Sequence, residues 1–182
     1  MEASDEVLVE RIARRDMKAL EAFYARHETA LYNFLRAKLN DHALAYDVVN
    51  EAMFEVWQNA GRFEGRSRPR SWLFTIARNR AVDRLRKGKR DVALEPDFDM
   101  ADENAVHAED VIAAAQDADR LAHCLGRIPE AQREVVHLAF FEDMSLVQIS
   151  EVIGTPEGTV KSRMFHAKRA LRHCLESLVR RA

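Results

Sequence analysis

The chain has 182 residues, 47% hydrophobic and 32% charged, with a formal net charge of −2. That length supports one or two domains with cores of their own, and the composition suits a globular protein rather than a disordered one. No apolar run approaches the roughly 18 residues of a membrane span, and the amino-terminal MEASDEVLVE is acidic rather than signal-like, so no membrane insertion is expected.

In chain order, Ser4–Asp5 predicts a cap for a first helix through Leu8, Val9 and Ile12. Asp16 starts a second, carrying Leu20, Phe23, Tyr24 and His27, and Leu31, Phe34 and Leu35 extend its apolar pattern. Asn40–Asp41 breaks the chain and caps the next helix, His42 to Ala60, ended by Gly61. That helix has two faces. Val49, Ala52, Met53, Val56, Trp57 and Ala60 form one, and Asp47, Asn50, Glu51, Phe54 and Gln58 the other. Single exposed aromatics are common, but an aromatic ringed by carboxylates and amides also describes a protein-docking surface, so Phe54 carries both readings.

Gly61 to Arg90 holds eleven Lys/Arg against two acids, Glu64 and Asp83. It opens as a Gly/Ser/Arg loop, in which Ser67 is placed to cap and Pro69 to enter the first helical turn. Trp72, Leu73, Ile76 and Ala77 give the following helix an apolar side, and the same line then turns cationic at Arg80, Arg84 and Lys87. Within the stretch those three have no acidic neighbour one turn away, apart from Asp83, three residues after Arg80 and four before Lys87, and are suited to phosphates. The loop and the aromatics are suited to bases. A solvated basic helix end is the plainer alternative.

Residues 91–106, DVALEPDFDMADENAV, carry six acids and no helical period and are expected to form a flexible linker. From about His107 a helical pattern resumes through Val111, Ala115, Ala118, Leu121, Leu125 and Ile128, and Pro129–Glu130 opens another helix with Val135, Val136 and Leu138. Ser145 then caps a short helix with Leu146, Ile149 and Ile153 inward, and Gly154–Thr155–Pro156 turns into a last helix. This is the grammar of a helix-turn-helix. Val160, Met164, Ala167 and Leu171 form the packed side of the last helix, and Ser162, Phe165 and Arg169 centre the opposite side, flanked by Lys161, His166 and Arg172. Donors around one aromatic suit the major groove, although helix-turn-helix patterns also serve protein contacts.

Charge is segregated along the chain. Residues 1–90 carry a net +5, residues 91–119 hold ten acids and no Lys or Arg, and residues 120–182 carry a net +3. Two basic blocks about an acidic one suggest two nucleic-acid-facing modules and a connector kept off DNA. There is no phosphate-cradling Gly loop, nucleophile elbow or metal-ligand spacing, so neither an enzyme nor a cofactor or metal is expected. Cys124 and Cys174 do not make a disulfide framework, which fits a reducing cytoplasm, and their apolar lines favour core packing over zinc.

Four segments together resemble the bacterial sigma-70 family, in its small extracytoplasmic-function (ECF) group: DVVNEAMFEVW at 47–57, RSWLFTIARNRAVDRLR at 70–86, IPEAQREVV at 128–136 and GTVKSRMFHAKRAL at 158–171. The resemblance implies an all-α fold of two small helical domains joined by the acidic linker, region 2 at 1–90 and a helix-turn-helix region 4 at 107–182. It implies a promoter-specificity subunit that binds core RNA polymerase and promoter DNA, governed by an anti-sigma factor and serving a dedicated stress-responsive regulon. Asp47, Asn50, Glu51, Phe54 and Gln58 would dock on the polymerase clamp. Phe63, Arg66, Ser67, Arg68, Arg70, Trp72, Arg78, Asn79, Arg80, Arg84 and Lys87 would recognise and melt the −10 element, the 63–70 loop accepting a flipped base. Lys161, Ser162, Arg163, Phe165, His166 and Arg169 would read the −35 element, with Arg163 on the flank of the helix better suited to phosphate or packing.

The sequence departs from the family pattern at Asn50, where Gln is usual, at Asp143, where Gly is frequent, and at His166, where Arg is common. The last removes a bidentate fork, so −35 preference does not carry over from a relative. Fully extended, the linker spans at most about 53–58 Å. Its acids would either mimic RNA charge in the polymerase's basic RNA path or serve as a spacer. A response-regulator type of transcription factor and a helical adaptor that binds no DNA are the rival classes. The first needs a βα receiver or ligand pocket upstream, and the second leaves the basic cluster unexplained.

Overall fold

The computed structural model describes residues 3–91 and 108–180, and every regular element among them is helical. Side-chain caps set the first three helices. The Ser4 hydroxyl accepts from the Val7 amide at the start of α1 (Asp5–Ala13), Asp16 accepts from Lys18 and Ala19 at the start of α2 (Met17–Leu39), and Asp41 from Leu44 at the start of α3 (His42–Asn59). Between α2 and α3, Asn40 takes the left-handed conformation that its short amide tolerates, with φ of 52°.

Gly61 does not end α3 abruptly. The helix tightens into a 3-10 turn, Ala60–Arg62, before the loop. The Trp72 amide bonds the Arg68 carbonyl at 3.0 Å, so Arg68 rather than Ser67 stands at the capping position of α4 (Pro69–Asp91), with Pro69 as the first helical residue. Of the expected linker, Asp91 is the last residue of α4 and the remainder lies outside the described residues, as does His107.

The carboxy-terminal half is α5 (Ala108–Arg127), α6 (Glu130–Phe140), α7 (Leu146–Ile153) and α8 (Glu157–Val179). A capping box opens α7, in which the Ser145 hydroxyl accepts from the Gln148 amide and the Gln148 side chain accepts from the Ser145 amide. Gly154 closes it in the left-handed region, φ 63°. Asp143 is also left-handed, φ 49°, a conformation that Gly would adopt without steric cost. Val160, Met164 and Ala167 of α8 are buried and Leu171 is partly so, as the wheel predicts.

The two cysteines are not separate core residues. Cys124 of α5 and Cys174 of α8 are joined as a disulfide, with Cα atoms 5.8 Å apart. The fold brings two lines that each read as apolar on their own helix to bonding distance.

In the amino-terminal half, Leu8, Ile12, Phe23, Phe34, Leu35, Val48, Val49, Leu73 and Phe74 are fully buried between α1, α2, α3 and α4. His27 joins this core, its Nε2 2.9 Å from Asp5 Oδ2, and burial pushes its pKa below 6.5 against the opposing pull of Asp5. The halves are also packed on each other. α7 lies along α4, α6 touches α2, and one cluster of buried side chains runs through both.

Candidate polymerase and promoter interfaces

The face of α3 expected to dock is on the surface. Phe54 is 60% exposed, and Asp47, Asn50 and Gln58 flank it in the open. Its opposite side, Val48, Val49, Ala52, Met53 and Val56, is fully packed, so the helix presents that face without freedom to rotate. Tyr46, one turn before Asn50, extends the same line and is 48% exposed, stacked at 4.2 Å on Tyr32. Its signal was in the sequence, at four and eight residues before Asn50 and Phe54.

Glu51 is not a free member of this face. It pairs with Arg84 of α4, and the neighbouring Glu55 pairs with Arg80 at 2.7 Å. Arg80 and Arg84 therefore do have acidic partners, contrary to the expectation from their own helix. The carboxylates come from α3, which packs alongside α4, a relation that i±4 spacing cannot register. Both pairs are substantially exposed, so they cost little to exchange for another anion.

The remaining cations and the amide expected at the −10 element divide into two sets. Arg66, Arg68, Asn79 and Lys87 are exposed, and Arg66 pairs with Glu64 at 2.6 Å. Phe63 and Trp72 pack against each other with ring centroids 4.9 Å apart, which fixes the loop base while leaving both rings partly accessible. Gly65, at φ 68°, turns the loop where a side chain would be strained. The loop residues Phe63, Gly65, Arg66, Ser67 and Arg68 face Asp143, Ser145 and Gln148 across a cleft of about 800 Å³.

Arg70 and Arg78 are the second set, and both are engaged by the carboxy-terminal half. Arg70 donates to the Glu142 carbonyl at 2.6 Å and to its carboxylate at 2.5 Å, while its guanidinium lies over the Phe74 ring. Arg78 donates to Glu134 at 2.9 Å. Nothing local in the sequence signals either partner, since each lies more than fifty residues away.

On α8 the face expected to read the −35 element is open. Lys161, Ser162, His166 and Arg169 are exposed, Phe165 is 63% exposed, and its ring meets His166 edge-on at 5.5 Å. Arg163 is half-buried on the flank, where the wheel puts it. Lys161 pairs with Glu157 one turn earlier, and Lys168 lies over the Phe140 ring at 5.4 Å, away from that face. Among the described residues no group of His, Cys, Asp and Glu is arranged to hold a metal, and no helix is long and apolar enough to cross a membrane.

Residues 23–91 match the family model for Sigma-70 region 2, and residues 118–171 match that for Sigma-70, region 4. The chain therefore belongs to the sigma-70 family of RNA polymerase sigma factors, in its ECF group. The ECF RNA polymerase sigma factor SigK of Mycobacterium sp. (strain JLS) is 31% identical over 173 residues, 93% of this chain and 90% of the relative. SigK of Mycobacterium tuberculosis (strain ATCC 25618 / H37Rv) is 31% identical over 176 residues, covering 94% and 93%. Among solved structures, CnrH in complex with the cytosolic domain of CnrY superposes with a TM-score of 0.71 at 25% identity, covering 95% of this chain and 97% of that one. The sigma factor RpoE of Bartonella quintana, in complex with the anti-sigma factor NepR, gives 0.73 at 23% identity over 87% and 98%, a likeness of fold. The family's role is regulatory: a sigma factor confers promoter specificity on RNA polymerase.

Proposed function

We propose that this sigma factor directs polymerase to promoters with separate −35 and −10 elements, melts the second, and serves a dedicated stress-responsive regulon from the cytoplasm. Region 2 is taken as residues 1–90, region 4 as 107–182, and 91–106 as the acidic connector. Asp47, Asn50, Glu51, Phe54 and Gln58 dock on core polymerase. Loop 63–70 accepts an unstacked −10 base, and Trp72, Arg78, Asn79, Arg80, Arg84 and Lys87 hold the duplex edge and its phosphates. Lys161, Ser162, Phe165, His166 and Arg169 read the −35 major groove, with Arg163 on phosphate. An anti-sigma factor governs the protein, as the complex of the Bartonella RpoE with the anti-sigma factor NepR suggests by analogy.

The observation that supports this reading best is the exposure of Phe165 at the centre of a donor-rich face on the second helix of a helix-turn-helix, whose other side is buried. A large ring is left mostly in water there, touching His166 edge-on, and hydrogen-bonding side chains surround it. The test is to pull down core RNA polymerase with the full chain and then select promoters in vitro with the reconstituted holoenzyme. Recovery of a bipartite consensus is expected. Failure to bind core, or a consensus with no upstream element, would refute the assignment.

A further inference from the structure

We propose that the polymerase-docking face has a second aromatic anchor, Tyr46, and that Tyr32 and His42 are positioning residues that hold its ring ready for core polymerase. The inference rests on the reading that α3 docks on core polymerase.

Tyr46, Asn50 and Phe54 follow one another at four-residue intervals on α3, so the two rings stand about 12 Å apart along the helix. Successive members of such a line turn by about 40° around the axis, and the line therefore slants. It slants toward α2. The Tyr24 hydroxyl of α2 lies 3.2 Å from Asn50 Oδ1. The Tyr32 ring, about two turns further along α2, stacks on Tyr46 with centroids 4.2 Å apart and planes 30° apart. Because α2 packs against α3, it supplies a second row of side chains behind the docking face.

The Tyr32 ring is itself tethered. Its hydroxyl oxygen is 2.7 Å from His42 Nδ1, a hydrogen bond that either imidazole tautomer can make. His42 is the first residue of α3, directly after the Asp41 cap. Leu31 of α2 and Ala45 of α3, the sequence neighbours of the two stacked tyrosines, are fully buried, so neither backbone can turn its ring away.

Despite the stack, Tyr46 remains 48% exposed. A tyrosine kept half in water by a stack of its own offers a large ring with a polar tip, the kind of side chain enriched at the energetic centre of interfaces. Rotamers fixed before the encounter need not be fixed on binding. The surface on core polymerase that fits this face has two apolar recesses about 12 Å apart, with polar groups between them for Asn50. The plainer alternative is a surface stack that only ties α2 to α3. It predicts lost stability on removing Tyr46, with core binding unchanged.

The experiment titrates core RNA polymerase with the labelled full chain and runs a urea melt on each variant. The variants are Tyr46→Ala, Tyr32→Leu, His42→Ala, and the last two each combined with Tyr46→Ala, with Phe54→Ala alongside. Taking a tyrosine's area as about 200 Å², 48% exposure leaves about 100 Å² for a partner, worth about 50-fold in Kd when covered. Tyr46→Ala should lose about that much. Ordering one side chain on binding costs roughly 2- to 12-fold in affinity, and Tyr32→Leu and His42→Ala should fall in that range. His42 is exposed, so its removal leaves the core untouched. In the Tyr46→Ala background neither substitution should weaken binding further, because both act through the ring already removed.

If Tyr46→Ala binds within twofold of wild type while Phe54→Ala is weakened, the second anchor is overturned and the docking reading stands. Equal losses for Tyr32→Leu and His42→Ala with and without the Tyr46 ring overturn the positioning role. If neither Phe54→Ala nor Tyr46→Ala changes core binding, the docking reading itself has failed, and this inference with it.

Discussion

Replacing Phe54 with Ala separates docking from folding, because the ring is held by the fold only at its base. Taking a phenylalanine's area as about 200 Å², its 60% exposure leaves about 120 Å² for a partner to cover. At roughly 25 cal/mol per Å² that area is worth about 3 kcal/mol on docking, or about 150-fold in Kd. The other 80 Å² or so is covered within the chain and is worth at most about 2 kcal/mol to the fold, part of which the alanine Cβ retains. Phe54→Ala should therefore weaken core binding by two orders of magnitude while lowering stability by only about 1 kcal/mol. Glu51 is left intact in this test, since removing it would also release Arg84. The assay is a fluorescence titration of labelled protein with core polymerase, alongside a urea melt. A Kd within twofold of wild type would refute the idea that this face docks. A collapse in stability would show that the ring is a core residue.

Arg169→Ala should alter the −35 preference, at roughly 1–3 kcal/mol for each lost base contact. Lys168→Ala should cost only its contact with Phe140 and leave the consensus unchanged in a promoter-library selection. Arg84→Ala should reduce transcription from all cognate promoters alike and flatten its salt dependence, as expected of a phosphate contact. Grafting a relative's loop over residues 63–70 should instead change the preferred −10 base with the salt slope intact; the converse pattern across −10 variants at two salt concentrations would reverse the two roles. Removing the disulfide through Cys124→Ala and Cys174→Ala, whose sequence separation is 50, should destabilise region 4 by about 4 kcal/mol on a loop-closure account. Thermal melts of wild type with and without reductant check this, and an unchanged melt would mean that the bridge contributes nothing to stability.

What the sequence by itself determined is local. Ser4, Asp16, Asp41 and Ser145 are caps in the structure because capping needs only a short acceptor and the next three amides. The two faces of α3 and of α8 were legible for the same reason: a period of 3.6 residues assigns side chains to sides without reference to any other element. What only the tertiary structure decided is pairing across distance. No spacing rule joins Arg80 to Glu55 or Arg84 to Glu51, because those partners depend on the setting of α4 against α3. Cys124 and Cys174 each read as a core residue on its own helix, and only the packing of α5 on α8 brings their sulfurs together. Arg70 and Arg78 read as cations open to solvent and DNA. Their carboxylates arrive from α6 and the turn before α7, more than fifty residues on, because buried charge must find its counter-charge wherever the fold supplies one.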